Sequence, residues 1–94
     1  MTVSENIIKM WETEGWKFNQ GETGFNFTTS FPVDKFTRII TVFFDSEPRN
    51  YYYVEVKLTN NEKNQYAYDY LNIEPKEHMM IHKTLLDLGW VKNE

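Results

Sequence analysis

Two histidines, His78 and His82, stand four residues apart in a segment with helical patterning. That spacing puts both imidazoles on one side of a helix, where they can share a metal ion. Glu74 precedes them by another four residues. Against a metal site, Pro75 separates Glu74 from the helix, and the chain has no third histidine. The residues between the pair are Met79-Met80-Ile81, which lack the glutamate that zinc proteases place there. The simpler expectation is one partly buried and one solvent-facing histidine. His78 and His82 stand as a weak metal candidate, and no cofactor is expected.

Nucleophilic and phosphate chemistry find less support. The serines, Ser4, Ser30 and Ser46, fall at a helix cap, a strand end and a turn. Each is an ordinary structural place for a hydroxyl. No carboxylate pair has a recognisable acid–base spacing. Gly21 and Gly24 lack the Lys-Ser/Thr and the following helix of a phosphate loop. The sequence therefore predicts no enzyme.

The densest chemical feature is aromatic. Tyr51 and Tyr53 lie on one strand-like run, and Tyr66, Tyr68 and Tyr70 on the next. A hairpin over 60–64 would bring the two runs within cross-strand reach. If Val54, Val56 and Leu58 face a core, then Tyr51 and Tyr53 face away from it. The direction of Tyr66, Tyr68 and Tyr70 depends on register, which a slip of one residue reverses. Turned outward, these phenols make a hydroxyl-tipped patch suited to protein contact, because Tyr offers large area at small rotamer cost. Turned inward, they are cross-strand pairs that stabilise a sheet.

The elements that must carry these residues follow from periodicity. Val3, Ile7, Met10 and Trp11 form a helical stripe, with Thr2 and Glu5 at capping-box spacing and Gly15 as the stop. A short strand is expected at Trp16-Lys17-Phe18, then a turn over 19–24. Phe25, Phe27, Thr29 and Phe31 alternate as a strand that Pro32 should end. Phe36 to Phe44 has apolar residues on both faces and reads as a central strand. Beyond the loop over 45–50, Tyr51–Thr59 and Gln65–Leu71 complete the strands. Pro75 opens a second helix with Met80, Ile81, Thr84, Leu85 and Leu88 on its inner stripe and Gly89 as its stop. Gly-Trp thus follows both helices, and each Trp can fold back on the helix it follows.

These elements predict an α+β two-layer sandwich in a single domain spanning 1–94. An antiparallel sheet of three to five strands would carry an N-terminal and a C-terminal helix on one face, in the order α-β-β-β-β-α. A chain of 94 residues supports one modest core. Sixteen aromatics against seventeen Val, Ile and Leu residues argue against disorder. Mean hydropathy is −0.63, and no apolar run approaches the length of a spanning helix. The start, Met1-Thr2-Val3-Ser4-Glu5, lacks the pattern of a signal peptide, and there is no cysteine. A cytoplasmic protein without membrane contact is expected.

In outline, the order helix–strands–helix resembles double-stranded-RNA-binding domains and HicA-type toxins. The residues that mark those families are missing. There is no glycine-flanked histidine after an early strand, and the second helix opens with Glu74-Pro75-Lys76-Glu77 rather than with basic residues. A net charge of −4 also argues against nucleic acid, whose affinity comes largely from neutralised phosphates. A local patch of Lys35, Arg38 and Lys57 is what such binding would need. Eight Lys against two Arg, with nine Asn, suit an AT-rich bacterial or phage genome. The expectation is a small non-enzymatic protein-interaction domain, such as a phage or mobile-element accessory protein that binds a host factor. Its contact residues would be Tyr51, Tyr53, Tyr66, Tyr68 and Tyr70, with a protein partner or a second copy. Strand aromatics on nucleic acid, and metal binding at His78 and His82, are the alternatives.

Overall fold

The computed structural model describes residues 2–60 and 74–92, together with the backbone of 65–68. The element order is α1 (Glu5–Thr13), β1 (Lys17–Gln20), β2 (Gly24–Val33), β3 (Phe36–Asp45), β4 (Tyr51–Asn60), β5 (Gln65–Tyr68) and α2 (Pro75–Leu88). The strands pair with their sequence neighbours in one antiparallel sheet, ordered β1-β2-β3-β4-β5. Every connection within the sheet is short, which leaves antiparallel pairing as the natural outcome. This is the α+β sandwich expected, and the short run after α1 supplies its edge strand β1.

Helix α1 is capped by Ser4, whose hydroxyl accepts the Ile7 N–H at 3.4 Å. The Thr2–Glu5 capping box does not form. Capping at Ser4 instead leaves Val3 just outside the helix, where it is buried, while Ile8 also packs on the core. That is the placement of a hydrophobic staple, which fixes how the chain enters the helix.

Both helices end in the same way. Gly15 and Gly89 take positive φ, 90° and 76°. The Gly15 and Trp16 N–H groups donate to Glu12 O and Trp11 O; those of Gly89 and Trp90 donate to Leu86 O and Leu85 O. Each pair is a Schellman motif with tryptophan as the residue after glycine. Trp16 returns edge-on to Trp11, with ring centres 5.0 Å apart at 83°, and Trp90 packs toward Phe44. The repeated Gly-Trp is thus one capping device used twice.

The helices run antiparallel over the same face. The Ser4 N–H donates to Asp87 at 3.2 Å, which joins the start of α1 to the end of α2. Lys76 bridges to Glu14 at the opposite end, and this carboxylate raises the lysine pKa. Beneath them lie Phe25 and Phe27 of β2, Val42 and Phe44 of β3, and Val56 of β4, all buried. Trp11 is fully buried and stacks on Phe27 at 4.6 Å and 4°. Phe25 stacks on Phe44 at 5.1 Å. Each such ring pair adds about 0.5–1.5 kcal/mol beyond its buried area. Met80, Ile81 and Thr84 close the core from α2, with Leu85 and Leu88 partly buried beside them.

Two expectations about β2 need correction. Asn19 and Gln20 belong to β1, so the turn shrinks to 21–23. Pro32 does not end the ladder, which continues through Pro32↔Thr37 and Val33↔Phe36 to a turn with Asp34 at φ 58°. The hydrogen-bond parity explains this. Gly24 accepts from Gly21 in the β1 hairpin, so even positions of β2 turn their peptide groups toward β1. The ring of Pro32 therefore replaces an N–H that would face outward, where β1 has already stopped opposite Thr28. Strand β3 loses nothing.

Candidate functional site

With both helices on one side, the pleat sorts the remaining side chains. The register places Lys17 and Asn19 of β1, Asn26 and Thr28 of β2, Thr41, Phe43 and Asp45 of β3, and Tyr51, Tyr53, Glu55 and Lys57 of β4 on the reverse face. They form rows across the sheet. One row reads Asn19, Asn26, Phe43, Tyr53. The Asn19 amide donates to Asn26 Oδ1 at 3.0 Å, and the Phe43 and Tyr53 rings stack at 4.6 Å and 10°. The next row reads Lys17, Thr28, Thr41, Glu55, with the two threonine hydroxyls 3.0 Å apart.

Tyr51 extends the aromatic group along β4, its ring 5.9 Å from Tyr53 and only 14° from parallel. Three nearly parallel rings therefore stand on the helix-free face, and Tyr53 is 43% exposed. Burial against its neighbours raises the Tyr53 pKa, and Tyr51, Glu55 and Asp45 add to the shift. At the end of this group, Asp45 is held below the usual carboxylate range. Hydrogen bonds from the Thr23 side chain and the Glu47 N–H dominate, and the Tyr51 hydroxyl contributes. Glu55 pairs with Lys57 at 3.1 Å.

Of the tyrosines singled out by sequence, Tyr51 and Tyr53 come together on this face. The ladder pairs position 66 with Thr59 and position 68 with Lys57, both reverse-face residues of β4. The side chains of Tyr66 and Tyr68, and Tyr70 altogether, lie outside the described residues. Tyr52 points the other way, toward Phe44 at 6.1 Å, yet stays 44% exposed at the margin of the helical layer. Phe43, Asn19 and Asn26 belong to the surface although sequence reasoning did not select them. The adjacent Phe43-Phe44 pair was the available signal, since neighbours on a strand must serve opposite faces.

His78 and His82 are both exposed on α2, so neither is the partly buried histidine expected. Glu74 is the N-cap residue and makes no side-chain cap bond. Among the described residues, no group of three or more His, Asp or Glu side chains lies together to hold a metal ion. The basic patch also fails to assemble. Arg38 lies on the helix side, its guanidinium 5.9 Å from the Phe31 ring centre, whereas Lys57 is on the reverse face beside Glu55. Among the described residues, no helix is long and apolar enough to cross a membrane. No protein family, curated protein or solved structure compared with the chain matches it.

Proposed function

We propose that this chain is a small, cytoplasmic, non-enzymatic protein-interaction domain that contacts its partner through the helix-free face of the sheet. The observation that carries the reading is the aromatic group Phe43–Tyr53–Tyr51, standing opposite both helices with Tyr53 43% exposed. Such rings lose little rotamer freedom on contact and present hydroxyls at their tips. The core does not draw on them, since Trp11, Trp16, Phe25, Phe27 and Phe44 already fill it. The lack of cysteine supports a reducing compartment. The Lys- and Asn-rich composition supports a phage or mobile-element setting, with a host protein or a second copy of the chain as partner.

The test compares wild type with Tyr53→Ala in affinity capture from a bacterial host, with melting measured in parallel. Weakened capture at a nearly unchanged melting temperature supports the reading. A variant that loses several degrees and still captures the same partner assigns the ring to the fold and ends it.

A further inference from the structure

We propose that two copies of this chain pack their helix-free faces together about a two-fold axis running along the strands between β2 and β3. The proposal rests on the reading of that face as the contact surface and names its occupant. An isologous contact must be complementary to itself, so members of an attractive pair must lie at equal distances on either side of the axis. Lys17 and Glu55 do so. They end the row Lys17, Thr28, Thr41, Glu55, whose midpoint falls between β2 and β3. The rotation sets Lys17 against Glu55 of the partner subunit, twice over, and Thr28 against Thr41 of the partner subunit. In the neighbouring row it sets the Tyr53 phenol against the amide of Asn19 of the partner subunit, and Phe43 against Asn26 of the partner subunit. Lys and Glu are long enough to meet across the roughly 10 Å between packed sheets.

Charge and area agree with a second copy as occupant. The reverse-face positions of β1 to β4 carry Lys17 and Lys57 against Asp45 and Glu55, a balanced set in a chain whose net charge is −4. The excess negative charge that would repel a copy therefore lies elsewhere. Three ten-residue strands at about 4.8 Å spacing, with the four-residue β1 beside them, offer about 500 Å² per copy. Two such faces bury about 1,000 Å², the size of a weak pair that forms as concentration rises.

Sedimentation equilibrium tests this with the full chain, Lys17→Glu, Glu55→Lys and an equimolar mixture of the two variants. Wild type should reach twice 11.4 kDa with rising concentration. Each variant alone brings two like-charged pairs together, and its dimer should weaken by roughly thirty-fold or more. The mixture should recover, because each reversed residue then meets its opposite across the axis. If either reversal disturbs melting, Lys17→Gln keeps the test alive, with dimer affinity expected to fall roughly five-fold. Wild type that stays monomeric to about 1 mM overturns the dimer; loss of capture by Tyr53→Ala would then leave the contact-face reading standing. Variants that dimerise as well as wild type place the self-contact elsewhere and overturn the face-to-face dimer, while Tyr53→Ala capture still decides the contact-face reading.

Discussion

The Trp11 indole N–H donates to the Thr84 hydroxyl at 2.9 Å, and that hydroxyl donates onward to Met80 O at 2.8 Å. Trp11 and Thr84 are both fully buried, so this two-step chain is the polar thread through an otherwise apolar core. It also joins α1 to α2 across 73 residues of sequence.

Thr84→Val keeps the shape and removes the acceptor, which leaves a buried indole N–H without its partner. The expected loss is about 1–3 kcal/mol in denaturant unfolding. Thr84→Ser keeps the hydroxyl and should lose less. A larger loss for Thr84→Ser than for Thr84→Val would show that the methyl group, not the hydrogen bond, matters at this site.

The twin helix stops predict twin costs. Gly15→Ala and Gly89→Ala each force a side chain into left-handed backbone, at about 1 kcal/mol apiece. Neither substitution meets another atom within 4 Å, so conformation is the whole effect. Asn at either site should recover part of the loss, as read by melting temperature.

Gly24 is different in kind. A Cβ there would sit 2.1 Å from Phe44 O, across the β2–β3 ladder. Backbone must move to admit it, next to the Phe25–Phe44 stack. Gly24→Ala should therefore cost about 1–3 kcal/mol, at least as much as the helix-stop variants, although its backbone is not left-handed. Chemical denaturation of the three alanine variants side by side gives the ranking.

Asp45 sets a pH dependence. Its folded pKa lies below the unfolded one, so its contribution is fully present above the unfolded value, near 4, and is lost as pH falls through the folded value. Asp45→Asn should lower the melting temperature at pH 7 and converge with wild type in acid. Tyr53 acts at the other extreme. Its pKa is raised, so stability is intact below the ordinary tyrosine range and falls as pH climbs past the folded value. Ultraviolet titration should show a late-ionising phase, and Tyr53→Phe should diminish it.

Much of this fold was legible in the sequence because period and punctuation agreed. The stripe of Met80, Ile81, Thr84, Leu85 and Leu88 located the buried side of α2, and Gly-Trp located both helix ends. The alternation of β4 separated Tyr51 and Tyr53 from Val54 and Val56. What misled was local chemistry settled by neighbours. Thr2 has the spacing of a cap, but burying Val3 moves the cap to Ser4. Pro32 looks like a strand end, yet its missing donor falls on the side that no strand occupies. The reverse-face rows were not legible at all, because Asn19, Asn26 and Phe43 become neighbours only once the register of three strands is known.

That outward-facing proline protects the molecule. Past Thr28 the rim of β2 is bare of β1, and only positions 30 and 32 direct their peptide groups outward. Pro32 supplies no donor at one of the two and thrusts a ring into the path of any incoming strand. This stretch of the border is thereby a poor template for strand addition.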